Sequence, residues 1–547
     1  MYTFSSRLSN ASRRSSTLFR AVVLKRAARD WAPATGTRPQ QPLSVPYAHT
    51  PVSKEAADSE TLAGDLRELF SLLSDSSHTE ELTRPIQGTG EAKLRELGFR
   101  TRAFSRLFQS WERLHLVEAG EQMLVRSDLL QTLQRTPHVA SQLHLDPVEL
   151  THRYEAARAV VSHLSRQLFD WSWPYFGDLL GLHAQYWAPS RGIVFTAGNA
   201  QAPYLLTSIR SLRAIGCELP IEVMYLGDED LDEDFREALE GLPGVVTRDL
   251  RAMISDAGWT LRGWAAKPFA ILLASFRETV FIDADSLFVQ NPVALFAEPR
   301  YQQHGALFFR DRLLMPGSRK EWIREVLPEP VSRQVRRHNR MWTGQSIHMQ
   351  ESGVVVVDKW RHFVALLLVT RMNGPDREGN EAEGRRGVYD MVYGDKETFW
   401  LGWELAGDTE YAFHEGAAAV MGPVQSSTSV SRVVQDNATS ADNPPTATLT
   451  APLQICAPQI LHLGVDGRPL WFNGWLLRNK YATKQEYGTF EGFITEPPDA
   501  HDDGSWKLQQ NNVCCMSADR VTGFTDAERE VLGRMVEIAR EVGGGRS

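Results

Sequence analysis

Apolar residues recur at three- and four-residue spacing between charged residues in the first third of the chain. The segments 61–73 and 147–169 show this pattern most clearly. Such spacing places the apolar side chains on one face of a helix, which can then pack against a core. The pattern therefore predicts amphipathic helices across residues 58–190, which would form a helical stem or cap.

From residue 192 onward, short apolar runs alternate with helical segments. The runs 192–198 and 221–230 are typical of strands, and the segment 202–215 between them has helical spacing. This order is the β-α-β unit of a doubly wound α/β sheet, whose ligands bind at the carboxyl ends of the strands. We therefore expect the turn 196–199 to hold a nucleotide through its backbone amides and the Asn199 side chain. An ordinary turn between a strand and a helix would have the same local sequence.

A later apolar run, Val280–Ile282, leads directly into the sequence Asp283-Ala284-Asp285. Because alternate residues of a strand point the same way, the two carboxylates can share one hard divalent cation while Ala284 faces away. A solvated acidic turn is the alternative interpretation. The apolar strand before the motif and the apolar segment 287–289 after it favour the metal site.

The segment 259–277, which precedes this strand, has the composition of a helix that packs against a sheet. Pro268 fits best in the first turn of a helix, so Lys267 should lie at the helix start, beside the strand ends. A lysine in this position opposes the helix dipole unless an anion compensates. Lys267 is therefore a candidate phosphate contact, with an ordinary solvated lysine as the alternative.

Length and composition limit the classes of protein. A chain of 547 residues is too long for one compact core and predicts a large domain with extensions. The net charge of −9 argues against general nucleic-acid binding. Four cysteines in so long a chain cannot form a disulfide framework, and no C-x-x-C pair is present, although one or two bridges are compatible with the sequence.

The flanking and inserted segments differ in composition from the α/β region. Residues 1–57 begin with a basic, serine-rich stretch and are predicted to be a disordered tail, like a transit peptide or a cytosolic tail. No run of about 20 apolar residues is present, so either the protein is soluble or an anchor lies outside this sequence. The polar inserts 373–387 and 425–452, the second carrying a glycosylation sequon at Asn437, are predicted to be mobile loops. After residue 480 we expect a peripheral segment, 481–547, with a helix over 525–542.

Five segments in a fixed order resemble a known class of enzymes. They are FTAGNAQAPYLLTSIRSLR (195–213), RGWAAKPFAILLASFRETVFIDADSLFVQNP (262–292), QSIHMQESGVVVVDKW (345–360), YGDKETFWLGWEL (393–405) and ILHLGVDGRPLWFNGW (460–475). Across residues 190–480 the chain resembles the GT-A glycosyltransferases. It is most similar to the fungal α-mannosyltransferases of glycosyltransferase family 71, which includes the Golgi α-1,3-mannosyltransferases of yeast. The glycogenin-like retaining transferases share the motif order and are more distant.

The resemblance implies an α/β fold of the GT-A type, a Rossmann-like α/β/α sandwich over residues 191–480, with a helical N-terminal extension. It also implies roles for individual residues. Ligands of Mn²⁺ or Mg²⁺ would be Asp283, Asp285 and His462, a mixed carboxylate and imidazole set that suits Mn²⁺. The nucleotide-sugar donor would contact Thr196, Ala197, Gly198, Asn199, Tyr204, Lys267, Asp283, Ala284 and Asp285. Catalytic carboxylates would be Glu351, Asp395 and Glu397, and sugar hydroxyls would contact Ser352, Gly353 and Gly394.

Each of these residues also has a structural alternative. His462 on its own would be an ordinary buried or surface histidine. The segment 351–353 would be a turn before the buried strand 354–357, and Asp395 or Glu397 would cap a helix or lie in its first turn.

The implied activity is metal-dependent, retaining transfer of mannose from GDP-mannose to a mannose-containing glycan or glycoprotein. The product would carry an α-1,3 or α-1,2 linkage, made in the Golgi lumen. Transfer from a UDP-sugar by a glycogenin-like enzyme is one alternative. A haloacid-dehalogenase-type phosphohydrolase also uses D-x-D at a strand end, but that motif is expected at the start of the α/β region, whereas a β-α-β unit precedes it here. A catalytically silent carbohydrate-binding or scaffold protein is the third class.

Overall fold

The computed structural model describes residues 47–48, 57–173, 178–426, 452–479, 486–498 and 506–543. Strands and helices alternate through the middle of the chain, as predicted. The strands in these ranges are β1 (Tyr47–Ala48), β2 (Leu116–Ala119), β3 (Gln122–Arg126), β4 (Arg191–Thr196), β5 (Ile221–Tyr225), β6 (Val245–Asp249), β7 (Glu278–Ile282), β8 (Ser286–Phe288), β9 (Ala306–Arg310), β10 (Gln350–Asp358), β11 (Ala412–Phe413), β12 (Ala418–Gly422), β13 (Val424–Ser426), β14 (Leu453–Ala457), β15 (Ile460–Leu463), β16 (Pro469–Asn473), β17 (Gly492–Thr495), β18 (Lys507–Leu508), β19 (Cys514–Ala518) and β20 (Thr522–Gly523).

The helices lie mainly before the first central strand and between the later ones. In the same ranges they are α1 (Ala57–Leu72), α2 (Ser76–Thr83), α3 (Gly90–His115), α4 (Leu129–Arg135), α5 (Pro137–Gln142), α6 (Pro147–Leu168), α7 (Leu179–Ala184), α8 (Ala202–Ala214), α9 (Glu233–Glu240), α10 (Ala266–Leu273), α11 (Pro299–His304), α12 (Lys320–Val326), α13 (Arg333–His338), α14 (Arg340–Thr343), α15 (Phe363–Asn373), α16 (Thr398–Ala406) and α17 (Asp526–Val542).

A mixed sheet with the strand order β6-β5-β4-β7-β10-β9-β11 forms the centre of the molecule. Strand β10 is antiparallel to both of its neighbours, and the other pairs are parallel. Val194 and Phe281 belong to one hydrophobic cluster, while Ile193 and Val280 belong to another. Because strand side chains alternate between faces, both faces of the sheet are covered, which is why its strands are continuous apolar runs. The predicted α/β sandwich with helices on both faces is confirmed.

The N-terminal helices share a core with one face of the central sheet. The predicted helices 61–73 and 147–169 are α1 and α6, and a small hairpin of β2 and β3 interrupts the helical region. The ring of Phe108 in α3 stacks on Phe363 in α15 at 5.8 Å between centroids. The stem is therefore packed onto the α/β layer. No helix among the described residues is long and apolar enough to cross a bilayer.

A second, antiparallel sheet with the order β20-β17-β12-β15-β16-β8 begins directly after the D-x-D motif. Its first strand in the chain, β8, pairs with β16, so that Ser286 lies opposite Asn473 and Phe288 opposite Trp471. The residues 283–285 therefore connect the central sheet to the second sheet. A third sheet, β13-β14-β19-β18, carries a disulfide between Cys456 and Cys515.

Two segments differ from the sequence-based expectation, and one agrees closely. We expected one helix over 259–277, but the structure has only a short 3-10 turn at 263–265 followed by α10. The polar insert 373–387, expected to be a mobile loop, is anchored because Asp376 is buried and its carboxylate pairs with Arg371 at 2.6 Å. Helix α17 confirms the predicted C-terminal helix. The basic tail before residue 47, most of the insert 425–452 and its sequon at Asn437 lie outside the described residues.

Candidate functional site

The D-x-D motif forms a tight turn at the carboxyl end of β7. The backbone N–H of Asp283 donates to the carbonyl of Gly353 at 2.8 Å, and Ser286 N–H donates to the Asp283 carbonyl at 2.9 Å. Ala284 is buried, while the Asp283 side chain keeps 26% of its accessible surface. The end of β7 and the beginning of β10 thus fix the first carboxylate at an accessible edge of the sheet.

Lys267 lies at the start of α10, next to Pro268 in the first turn, as predicted, but its ammonium contacts protein groups. The Nζ atom lies 3.1 Å from Asp283 Oδ1, 3.0 Å from Asp395 Oδ2 and 2.9 Å from both the carbonyl oxygen and the Oγ of Ser352. These carboxylates are the anions that compensate the helix dipole. A direct contact between Lys267 and a phosphate would require the release of one of these acceptors.

The electrostatic balance around Asp283 is negative. Burial raises the pKa of Asp283 to about 7; Lys267 opposes this shift, while Asp285, Asp395 and Glu351 increase it. Burial also disfavours the charged form of Lys267, but Asp283 and Asp395 outweigh it and raise the pKa of the ammonium. One lysine does not neutralise this edge of the sheet, so a further cation would be stabilised there.

Asp395 is presented by the loop that leads into α16. The preceding Gly394 has a φ of +64°, which favours glycine. The Asp395 side chain is buried and accepts a hydrogen bond from Ser352 Oγ at 2.9 Å in addition to its contact with Lys267. The structure therefore brings the predicted residues Lys267, Asp283, Ser352 and Asp395 into one cluster.

Glu351 and Gly353 are the second and fourth residues of β10, so the segment 351–353 belongs to the strand and is not the turn of the structural alternative. Glu351 Oε1 accepts from Gly353 N–H at 2.9 Å and from Asn473 Nδ2 at 3.0 Å. Burial raises the pKa of Glu351, and the nearby Asp311 adds to this effect. A Cβ atom at position 353 would lie 3.0 Å from Ser286 Oγ, so a larger residue there would press on its neighbours.

Glu397 has a different environment from Asp395. Its Oε1 accepts from the backbone N–H of Met349 at 2.9 Å, and its Oε2 accepts from the indole N–H of Trp400 at 2.6 Å. Both oxygens thus hold the backbone before β10 and the first turn of α16. These contacts indicate that Glu397 positions the two segments that carry Glu351 and Asp395.

A second buried ion pair, which the sequence reasoning missed, lies beside this cluster. Asp311, directly after β9, pairs with Lys396, the neighbour of Asp395. Burial alone would raise the pKa of Asp311, but Lys396 and Arg312 lower it below its usual range. The sequence signal for Asp311 was its position at the carboxyl end of a central strand, because ligands of α/β sheets bind at these ends.

The turn at the end of β4 is tied to the next strand-end loop. Asn199 N–H donates to the carbonyl of Asp230 at 2.6 Å, and Asn199 Oδ1 accepts from Asp232 N–H at 2.9 Å. A Cβ atom at Gly198 would lie 2.5 Å from Asp230 Oδ1. The side chain of Asn199 therefore holds two loops together. The other residues predicted to bind the donor here are half-buried or buried on the same strand end and the following helix: Thr196, Ala197 and Tyr204.

His462 does not join the two aspartates. It lies in β15 opposite Trp471, which in turn lies opposite Phe288 in β8, so two strand spacings separate His462 from the strand that follows the motif. The imidazole stacks on Trp471 at 4.1 Å, and burial lowers its pKa to about 3. Its Nε2 has no hydrogen-bond partner among the described residues.

The arrangement fits a divalent ion in part. Asp283 and Asp285 are the hard oxygen ligands that Mn²⁺ or Mg²⁺ prefers, and they lie at a negatively charged edge. Across the described part of the chain, however, no group of three His, Cys, Asp or Glu side chains is arranged to hold a metal. The predicted ligand set of two aspartates and His462 is therefore not assembled among the described residues, because the pairing of β15 with β16 places His462 within the second sheet.

Comparison with known proteins identifies the family. Residues 190–464 match the family model described as "Mannosyltransferase putative", which covers β4 to β15 and all of the side-chain cluster described above. The chain belongs to this mannosyltransferase family. The predicted resemblance to fungal α-mannosyltransferases is thereby confirmed.

The relatives are fungal and longer than the matched region. "Putative alpha-1,3-mannosyltransferase MNN14" of Candida albicans is 27% identical over 340 residues, 55% of this chain and 46% of that protein. Alpha-1,3-mannosyltransferase MNN1 of Saccharomyces cerevisiae is 26% identical over 332 residues, 52% of this chain and 40% of that protein. The matched part of the chain thus spans about half the length of these relatives or less.

Among solved structures, the mannosyltransferase Ktr4p of S. cerevisiae aligns over 42% of this chain and 71% of its own, with 12% identity and a TM-score of 0.28. A similarity of this size carries no argument about substrate or mechanism.

Proposed function

We propose that this chain is a retaining mannosyltransferase that moves mannose from GDP-mannose to a mannose-containing glycan, with formation of an α-1,3 linkage. Membership of the mannosyltransferase family supports the reaction class, and its similarity to α-1,3-mannosyltransferases supports the linkage. The observation that carries the proposal is the buried ammonium of Lys267, which joins the first aspartate of the D-x-D motif to Asp395.

The reaction requires opposite charges at its two ends. Cleavage of the bond between mannose and the diphosphate builds negative charge on the leaving group and positive charge on the sugar. The carboxylate of Asp395, held by Lys267 and Ser352, would stabilise the positive charge without having to reorganise. Asp395 is thus our candidate for the carboxylate that faces the sugar.

Asp283 and Asp285 would hold the divalent ion, Mn²⁺ or Mg²⁺. When bound, this ion would offset the charge of the donor diphosphate. The chain contributes the position of the ligands, because Gly353 holds the backbone of Asp283 and Trp475 N–H donates to the carbonyl of Asp285 at 3.1 Å. The role of Lys267 in this scheme is to hold the carboxylates of Asp283 and Asp395 close together.

We also infer that the enzyme works in the Golgi lumen. The disulfide between Cys456 and Cys515 supports this location, because disulfides persist in oxidising compartments.

The proposal is tested by incubating the purified chain with GDP-mannose, UDP-glucose or UDP-galactose, an α-mannoside acceptor, and either MnCl₂ or EDTA. We expect GDP release and a new α-1,3-linked mannoside, seen by NMR, only with GDP-mannose and metal. Transfer from a UDP-sugar instead would support a glycogenin-like activity. Release of inorganic phosphate from p-nitrophenyl phosphate, lost in Asp283→Asn, would support the phosphohydrolase and contradict the proposal.

A further inference from the structure

Two large aromatic side chains are exposed side by side next to the candidate site. Trp264 and Tyr393 each keep 63% of their accessible surface, and their ring centroids are 6.2 Å apart with 40° between the planes. Adjacent exposed aromatic rings beside a cavity are typical of a binding surface. Neither residue is among those that the mechanism uses.

Both rings are anchored to the ion pair between Lys267 and Asp395. Trp264 precedes Lys267 by three residues, and Tyr393 precedes Asp395 by two. The 3.0 Å contact between Lys267 Nζ and Asp395 Oδ2 therefore holds the two aromatic segments together. The Trp264 ring also lies over Gly394, since a Cβ atom there would be 3.3 Å from Trp264 Cε3. The aromatic pair is thus continuous with the backbone that carries Asp395.

A cavity of about 290 Å³ begins at Tyr393 and supplies polar groups beside the rings. Arg319, His348 and Asp390 are among the residues that line it. The Nδ1 atom of His348 is buried and has no hydrogen-bond partner among the described residues, although Glu397 Oε1 lies 3.6 Å away; the His348 ring lies 6.0 Å from the Tyr393 ring between centroids. Flat aromatic surface next to hydrogen-bonding side chains is complementary to a pyranose, which has an apolar face and hydroxyls around its edge.

We propose that Trp264 and Tyr393 form a platform on which a mannose ring of the acceptor glycan stacks, beside Asp395. This proposal rests on the proposed function for the identity of the sugar. An uncharged ring with hydroxyls suits the position, because the charged groups there are of both signs: Arg319 and Asp390 line the cavity, and Lys396 Nζ lies 5.5 Å from the Tyr393 ring centroid. The platform determines which glycan end is held at the reaction centre.

The test measures binding of α-linked mannobiose to the full chain without any donor, by isothermal titration calorimetry or ligand-observed NMR. We expect Trp264→Ala and Tyr393→Ala to weaken this binding about tenfold or more, as expected for the loss of an aromatic contact. Tyr393→Phe keeps the ring and should bind within about twofold of the wild type. Trp173→Ala is the matched control, since Trp173 is 50% exposed on the stem, and it should change nothing.

The same variants are then titrated with GDP-mannose, and their thermal unfolding is recorded. Unchanged donor affinity and an unchanged Tm, together with the loss of mannobiose binding, support the platform. A loss of donor affinity with intact mannobiose binding would assign the rings to the nucleotide and overturn the proposal. Wild-type protein that binds no α-mannoside also overturns it, even if transfer to another acceptor is observed. Mannobiose binding that depends on Trp264, without transfer from any donor, leaves the platform standing and refutes the proposed function instead.

Discussion

The ammonium of Lys267 lies 3.0 Å from the carboxylate of Asp395 and, on its other side, 3.1 Å from that of Asp283. This single buried cation connects the strand end that carries the D-x-D motif to the loop before α16. The two aspartates would repel each other in its absence, because burial strengthens the interaction between like charges. The geometry of the site therefore depends on a residue that has no spare hydrogen-bond donor for substrate.

We expect Lys267→Met to destabilise the fold by about 3 kcal/mol, the usual cost of removing one partner from a buried ion pair. Transfer activity should be lost together with this stability. Urea unfolding measures the first effect, and Lys507→Met, at an exposed position, is the control. The double variant Lys267→Met/Asp395→Asn should be more stable than the sum of the single variants predicts. Additive effects would mean that the two side chains are not coupled.

Asp285→Asn should strongly reduce transfer with little change in stability. Asp285 is partly exposed at the edge where the metal would bind, so its carboxylate contributes little to the core. We expect the variant to need at least about tenfold more Mn²⁺ for half of its residual activity. Asp519→Asn, at another exposed acid, should behave as the wild type in the same metal titration. Unaltered activity of Asp285→Asn in the presence of EDTA would refute the metal assignment.

The local sequence predicted those parts of the site that depend on neighbouring residues. The strand Val280–Ile282 and the proline in the first turn of α10 predict that Asp283 and Lys267 lie at the same sheet edge, which agrees with the structure. Alternating strands and helices also predicted the α/β class. These features follow from the periodicity of apolar residues and from local backbone preferences, and both can be recognised in a short stretch of sequence.

A short stretch of sequence does not predict which distant residues come into contact. Whether Lys267 contacts a phosphate or a carboxylate depends on Asp395, which the fold brings in from a distant loop. The position of His462 depends on the register between β15, β16 and β8, which its local strand pattern does not reveal. The ion pair between Asp311 and Lys396 likewise joins residues that are distant in sequence. The family resemblance implied one metal centre that includes His462, whereas strand pairing places His462 two strands away from β8.

Glu397→Gln distinguishes a positioning role from a catalytic one. The two oxygens of Glu397 accept from Met349 N–H and the Trp400 indole N–H, and glutamine can replace only one of these acceptors. We expect a loss of about 1–3 kcal/mol in the free energy of unfolding, the cost of an unsatisfied buried donor. The kcat of the folded fraction should remain within about threefold of the wild type. Only the loss of an interaction that is specific to the transition state would lower kcat further. A large fall in kcat at unchanged stability would make Glu397 catalytic.

The last prediction concerns the pH dependence of the helical stem. Burial lowers the pKa of His115 to about 4, although its hydrogen bond to the Trp111 carbonyl opposes this shift. In the unfolded chain the same imidazole has a pKa of about 6.5, so between these values the unfolded state binds a proton that the folded state excludes. Stability contributed by the neutral ring is therefore present above pH 6.5 and is lost as the pH falls toward 4, by about 3 kcal/mol in total.

Removal of the imidazole should flatten this pH dependence. We expect the free energy of unfolding of His115→Phe, measured in urea between pH 7 and pH 4.5, to fall less steeply with decreasing pH than that of the wild type. His138→Phe removes an exposed histidine of the stem and should leave the slope unchanged. Equal slopes for His115→Phe and the wild type would mean that His115 takes up its proton in the folded state. In that case the Nε2 atom would donate to the Tyr154 hydroxyl, which lies 2.9 Å away, rather than accept from it.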